Sequence, residues 1–281
     1  MSQIDRNMIP ELALRDGGVI PQLGFGVFQV TPADTPAAVS RALEAGYRHI
    51  DTAAGYQNEA EVAEAVRSSG LSRSEVFITT KLFNDDHGFD NAKRAFHASL
   101  DRLGSEYVDL YLIHWPIPTY DKYVETWRAL IELRDEGLAK SIGVSNFQAA
   151  HLGRIVDETG VTPSVNQIEL HPRLQQAELR RLHAELGIVT ESWSPLMRGA
   201  VLGEEPIVAA AAAHGKTAAQ VILRWHMQLG IATIPRSVTP SRIQENLDIF
   251  DFELTQAEMD AFASLDAGQR IGPDPDTFTG A

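Results

Sequence analysis

Residues 76–115 read VFITTKLFNDDHGFDNAKRAFHASLDRLGSEYVDLYLIHW and contain one complete strand–helix–strand unit. One short apolar run, VFIT, begins at Val76 and another, VDLYLI, at Val108. Between them, a stretch with helical periodicity begins near Asp90 and closes at Gly104, since a glycine readily adopts the left-handed turn that ends a helix. The runs are mostly apolar throughout rather than alternating, as parallel strands covered on both faces should be.

The same unit recurs along the chain. Further runs are LGFG near Leu23, YRHI ending at Ile50, SIGV at Ser141, SVNQI at Ser164, IVTES at Ile188 and ATIP at Ala232, which brings the strand candidates to eight. Helix signals fall between them. Thr35-Pro36 opens a helix running to Gly46, and Pro206 starts an Ala-rich helix ended by Gly215. Thr217 with Gln220, and Thr255 with Glu258, form capping boxes. Ahead of the first run, ELAL, RDGG and VI read as a β-hairpin. A hairpin followed by eight β/α units predicts an α/β fold, a (β/α)8 TIM barrel with the N-terminal hairpin closing its bottom. The alternative is a doubly wound sheet, which wants a glycine-rich phosphate loop after its first strand. Gly24-Phe25-Gly26 lacks the third glycine of that loop.

The length of 281 residues suits one such barrel, and residues 1–281 are expected to form a single domain. With 24 basic and 38 acidic residues the formal charge is −14, so the surface repels nucleic acid and anionic membranes, and a polyanionic ligand needs local positive groups. Cys is absent, which excludes disulfides, thiolate nucleophiles and Cys metal sites. The first residues, MSQIDRNMIPELALRDGG, lack a signal peptide's apolar core, and the longest apolar run in a helix pattern, Ile207 to Ala213, is too short to span a membrane. A cytoplasmic protein is expected.

In a TIM barrel the chemistry sits at the C-terminal ends of the strands, so the residues leaving each run are informative. Asp51, Lys81, His114, Ser145, Asn146, Gln167, Glu169, Trp193 and Arg236 occupy those positions, with Tyr56 in the loop after Asp51. Singly, each has an ordinary reading: Asp51 bonding loop amides, Lys81 a solvated charge, Tyr56 a surface aromatic, His114 a packing residue. Together, Asp51, Tyr56, Lys81 and His114 place four titratable groups on one rim. A phenol is a weak acid at neutral pH, and a nearby ammonium is expected to lower its pKa. A carboxylate positions the ammonium, and a neutral imidazole can donate to a carbonyl oxygen. Such a set suits hydride transfer to a ketone or aldehyde, whose oxygen gains charge and then a proton.

The segments HIDTAAGYQNE, FITTK, DLYLIHWP, SIGVSNF, NQIELHP, SWSPL and IPRS, in this order, resemble those of the aldo-keto reductases from about Gly24 to Leu265. Trp193, where that family usually has Tyr, and the DPDTF tail are similar to compact bacterial members of the 2,5-diketo-D-gluconate reductase type. The resemblance implies a (β/α)8 barrel and NADPH-dependent reduction of small carbonyls to alcohols. It implies Tyr56 as proton donor, tuned by Lys81 and Asp51, with His114 orienting the carbonyl.

Trp193 is suited to stack on a nicotinamide, and Ser145, Asn146 and Gln167 are implied to bind its carboxamide. Gly26, Val27 and Phe28 are implied to line the cofactor's middle, with Ser194 and Leu196 offering backbone to the pyrophosphate. In RSVTPSRIQEN, Thr239 reads as an N-cap and Pro240 as the first helical residue, a helix start that attracts an anion. Arg236, Ser237, Val238 and Arg242 are expected to hold the 2′-phosphate there, with Glu245 and Asn246 at the adenine. Phe28, Phe83 and Trp115 are expected to wall the substrate pocket. Met197 and Arg198 follow SWSPL where a glycine is common, and bear on how this loop closes over the pyrophosphate. A monomer is expected, with no metal and no nucleic-acid or membrane partner. Two other classes compete. A nicotinamide-binding sensor on the same fold would carry a partner-binding extension, and a metal-dependent hydrolase barrel would want a His-x-His pair; neither is present in the sequence.

Overall fold

The computed structural model describes residues 9–280. The start of the segment read for a leader therefore lies outside the described residues. Strands β1 (Glu11–Ala13) and β2 (Val19–Pro21) form an antiparallel hairpin, with Leu12 opposite Ile20. There follow β3 (Phe25–Gly26), α1 (Thr35–Ala45), β4 (His49–Asp51), α2 (Glu59–Ser68), β5 (Phe77–Leu82), α3 (Phe89–Leu103), β6 (Val108–Ile113) and α4 (Tyr123–Asp135). The second half holds β7 (Ala139–Ser145), α5 (Ala149–Thr159), β8 (Val165–Glu169), α6 (Ala177–Leu186), β9 (Val189–Trp193), α7 (Glu205–His214), α8 (Ala218–Gln228), β10 (Ala232–Thr233), α9 (Pro240–Leu247) and α10 (Gln256–Ala263).

Strands β3 to β10 are parallel neighbours in chain order. A parallel bridge between Leu23 and Thr233 joins the last strand to the first, with Gly24 donating to the Thr233 carbonyl at 2.9 Å. The sheet thus closes on itself as the (β/α)8 barrel, each of the eight expected runs supplying one strand. Helix punctuation follows the sequence. Gly104 ends α3 in the left-handed conformation at φ 55°, and both capping boxes form at the starts of α8 and α10.

Alternation within β6 separates two apolar layers. Tyr111 and Ile113 pack in the layer shared by strands and helices. Leu110 and Leu112 instead pack with Val165 and with Leu14 and Ile20 around the hairpin. The hairpin therefore plugs the bottom of the lumen. Each fully buried side chain of this size contributes about 1.5–3 kcal/mol relative to exposure. With one end filled by hydrocarbon, polar lumen residues collect toward the opposite, C-terminal end. No helix among the described residues is long and apolar enough to cross a membrane.

Candidate active site

Asp51 is the last residue of β4, Lys81 lies near the end of β5, and His114 directly follows β6. Tyr56 ends a short 3-10 turn, Ala54–Tyr56, which follows β4 after Thr52 and Ala53. Lys81 Nζ donates to Asp51 Oδ1 at 2.6 Å and Oδ2 at 2.7 Å, to the Thr52 carbonyl at 3.0 Å, and to the Tyr56 hydroxyl at 3.4 Å. Lys81 is fully buried and Asp51 almost so. The Tyr56 ring packs edge-on to His114 at 5.6 Å between centroids and tilts against Phe28 at 5.1 Å.

Burial works against a charged Lys81, but the charge and hydrogen bonds of Asp51 carry its pKa above the ordinary lysine value, so it is an ammonium. Burial pushes the Tyr56 phenol up to about 12, with Lys81 opposing and Asp51 reinforcing the rise. Lys81 does lower the phenol's pKa, as expected, but desolvation outweighs that one positive charge and Asp51 offsets part of it, so the net shift is upward. The phenol is therefore protonated at neutral pH, the form a proton donor requires. Burial, with Lys81, takes His114 down to about 3, so its imidazole is neutral. His114 Nδ1 is buried without a hydrogen-bond partner among the described residues, which leaves Nε2 as the ring nitrogen able to serve the cleft.

A cleft of about 1300 Å³ opens over these groups. Asp51, Tyr56 and His114 line it, while Lys81 sits behind them. Along its length it meets Gly26, Phe28, Ser145, Asn146, Gln167, Trp193, Ser194, Leu196, Arg236, Ser237, Val238, Arg242, Glu245 and Asn246. Phe83 and Trp115 line its pocket end. Val27 alone of the expected cofactor residues does not reach the lining, because its side chain is buried in the apolar layer between strands and helices.

Local hydrogen bonds arrange this wall. The Trp193 indole N–H donates to Asn146 Oδ1 at 2.8 Å, and Asn146 Nδ2 donates to the His114 carbonyl at 3.0 Å. Ser145 Oγ donates to the Gln167 carbonyl at 2.8 Å. Gln167 Nε2 donates to Asp51 Oδ2 at 2.8 Å and to Glu191 Oε2 at 2.7 Å. With its amide hydrogens so committed, Gln167 can offer a ligand only its carbonyl oxygen.

At the far end Thr239 caps α9 and Pro240 opens it. Arg236 makes one bond, to the Gln29 carbonyl at 3.3 Å, and among the described residues neither Arg236 nor Arg242 ion-pairs with a carboxylate. Glu245 Oε1 accepts from Thr217 Oγ1 at 2.7 Å, tying α9 to the start of α8. Met197 and Arg198 both adopt positive φ, and Arg198 lines the cleft. Among the described residues no group of three or more His, Asp or Glu is arranged to hold a metal.

The chain belongs to the aldo/keto reductase family. That family's pattern matches residues 22–267. An aldo-keto reductase of Mycobacterium sp. (strain KMS) is 55% identical over 269 residues, covering 96% of this chain and 98% of the relative. Methylglyoxal reductase DkgA of Escherichia coli (strain K12) is 52% identical over 271 residues, with the same coverage. Among solved structures, a Brucella melitensis aldo/keto reductase superposes with a TM-score of 0.89 at 53% identity, covering 92% of this chain and 100% of that one. A Gox0644 variant crystallised with NADPH gives a TM-score of 0.93 at 47% identity over 96% of this chain and 98% of that one.

Several residues of this aldo/keto reductase's cleft carry weak sequence signals. Gly272, Pro273, Phe278 and Gly280, from the C-terminal tail, line it, and Phe278 packs on Trp115 at 4.7 Å between ring centroids. A Cβ on Gly272 would stand 2.5 Å from Trp193, so only glycine lets the tail lie on that indole. Glu191 is fully buried beneath the cleft. Its signal was a lone charge inside the apolar run IVTES.

Proposed function

We propose that this chain is an NADPH-dependent carbonyl reductase, an oxidoreductase of the class acting on CH–OH donors with NADP+ as acceptor. One observation carries the reading: buried Asp51 and Lys81 lead to a half-buried Tyr56 that faces the same cleft whose far end presents Arg236 and Arg242, neither with an acidic partner among the described residues. The donor set fits the cofactor. Two guanidiniums and the start of α9 suit a 2′-phosphate. Trp193 offers a flat apolar face, and the acceptor oxygens of Asn146 and Gln167 suit a carboxamide NH2. When bound, NADPH supplies a hydride to the carbonyl carbon.

The chain's own groups do the rest. Neutral His114 donates a hydrogen bond to the substrate oxygen and orients it. As negative charge develops on that oxygen, the Tyr56 hydroxyl delivers its proton there. Lys81 then stabilises the phenolate left on Tyr56, and Asp51 holds Lys81 in place. Phe28, Phe83 and Trp115 wall a pocket for small aldehydes and ketones, keto-sugar acids such as 2,5-diketo-D-gluconate and 2-oxoaldehydes such as methylglyoxal among them. A monomer, folded as one domain over residues 1–281 and working in the cytoplasm, completes the proposal.

The test is loss of NADPH absorbance with a panel of aldehydes and ketones, with and without a chelator. Turnover that the chelator leaves unchanged is expected. No turnover with any carbonyl, or turnover abolished by the chelator, overturns the reading.

A further inference from the structure

Glu191 has no part in these steps, yet it is one hydrogen bond from Gln167, which in turn bonds Asp51. It is completely buried, and Gln167 Nε2 bridges its Oε2 at 2.7 Å to Asp51 Oδ2 at 2.8 Å. Two carboxyl oxygens facing one amide require its nitrogen, so they set the orientation of Gln167. The other oxygen, Glu191 Oε1, has no hydrogen-bond partner among the described residues and lies 3.8 Å from His49 Nε2. That ring nitrogen instead meets Thr79 Oγ1 at 2.9 Å. The groups facing Glu191 are thus His49 and Asp51 from β4, Lys81 from β5 and Gln167 from β8, while Ala232 beside it in β10 brings no charge.

The charges do not balance if Glu191 is ionised. Lys81 is one ammonium and Asp51 already pairs with it through both oxygens. A second carboxylate would be a buried charge with no counter-ion of its own, a costly arrangement. A carboxylic acid fits: Oε2 accepts from Gln167, and Oε1 is free to carry the proton. Burial and the charge of Asp51 act in the same sense, pushing Glu191 up to about 8.

We propose that Glu191 is a positioning residue for carbonyl reduction, a neutral acid that holds Gln167 and, through it, keeps Asp51 and Lys81 in place beneath Tyr56. This rests on the reading of the cleft as a carbonyl reductase. When Glu191 loses its proton the lumen gains a negative charge. That charge opposes the one developing on the substrate oxygen and makes Tyr56 a weaker acid, so turnover falls as pH rises through about 8.

The experiment compares wild type, Glu191→Ala and Glu191→Gln in kcat, KM and NADPH dissociation constant from about pH 6 to about pH 10. Glu191→Ala is expected to lower kcat about tenfold or more, as small displacements of catalytic groups do, with KM and NADPH affinity moved less than about threefold. Glu191→Gln, which keeps the shape without the titration, is expected to restore most of that turnover and to lack the wild-type decline above about pH 8. An infrared difference spectrum at neutral pH reads the proton without turnover: wild type should show a protonated carboxyl band that Glu191→Gln lacks. If Glu191→Ala folds poorly, the Glu191→Gln profile and the infrared band decide. The proposal is overturned by full turnover in a folded Glu191→Ala, by an alkaline decline retained in Glu191→Gln, or by absence of the band. A wild type that reduces no carbonyl sinks the parent reading instead, and the band still reports on the proton.

Discussion

The carboxylate of Glu169 accepts the backbone N–H of Ile271 at 2.7 Å, tying the C-terminal tail to the end of β8. Its second oxygen accepts from Gly272 at 3.0 Å, and His171 Nε2 stands 3.0 Å from the first. The tail reaches the cleft through this anchor, with Gly272 against Trp193 and Phe278 against Trp115. A buried side chain from the barrel thereby shapes the rim of the pocket.

Replacing that anchor should loosen the pocket without touching the acid–base groups. Glu169→Ala is expected to raise KM for a bulky aldehyde several-fold while kcat changes less. Steady-state kinetics check this, and an unchanged KM speaks against the tail as a wall. The hydrogen bonds from His171, Ile271 and Gly272 outweigh burial and hold Glu169 below the ordinary carboxylate value. The sign follows: the anchor's contribution is complete above the unfolded carboxylate pKa of about 4.3 and is lost only as pH falls through the lower folded value.

Tyr56→Phe removes only the hydroxyl. Carbonyl reduction should fall at least about tenfold, since general acid catalysis supplies roughly 10²–10⁴-fold, while NADPH affinity stays nearly unchanged. Lys81→Met should cost nearly as much, because Lys81 is the charge that opposes the rise of the Tyr56 pKa. Asp51→Asn should cost less, since Asp51 acts through Lys81. Wild-type turnover in the Lys81→Met variant across neutral pH would refute the coupling.

Stability should depend on acid in a direction set by buried histidines. Burial takes His49 down to about 3, and His183 and His226 down to about 4. Each folded-state value lies below the unfolded value of about 6.5, so the unfolded chain binds the extra proton. Stability is therefore full above pH 6.5 or so and falls with decreasing pH, by up to about 1.4 kcal/mol per unit for each such histidine until its folded value is reached. Thermal unfolding followed from about pH 7 to about pH 4.5 should show a steadily dropping midpoint. A flat profile would mean that these histidines are accessible.

The barrel was legible because its signals are local. The apolar runs, Gly104, and the boxes at Thr217 and Thr255 each state a strand, a stop or a start within a few residues. Asp51, Lys81 and His114 were legible because parallel topology sends every strand end to the same rim. The net pKa of Tyr56 was not, because it depends on how deeply the phenol is buried, a quantity that arises only when the barrel closes. The tail's place was illegible too, since the bonds from Glu169 to Ile271 and Gly272 span about a hundred residues and leave no periodicity. Glu191 was visible as a charge in an apolar run, but its partner Gln167 comes from the neighbouring strand, β8, and Asp51 from across the lumen.

Cofactor choice gives the sharpest test of the charge distribution. NADPH differs from NADH by a 2′-phosphate, nearly dianionic at neutral pH, and the protein's net charge is −14. That phosphate is disfavoured anywhere on this surface except where positive groups stand free of acids. Arg236 and Arg242 flank the start of α9, neither ion-paired to a carboxylate among the described residues, with Ser237 and the amides after Thr239 between them. Hydrogen bonds to charged groups contribute roughly 1.5–3 kcal/mol each, so two of them give a preference for NADPH on the order of 10²–10⁴ at low salt. Arg242→Ala is expected to raise the NADPH dissociation constant at least about tenfold and to leave that of NADH nearly unmoved. Salt should shrink the wild-type preference, because Arg242 is exposed and its attraction is screened. Quenching of protein fluorescence, with Trp193 in the cleft as reporter, measures both cofactors. Equal binding of the two by wild type, or equal weakening of both by Arg242→Ala, would remove the phosphate from this end of the cleft.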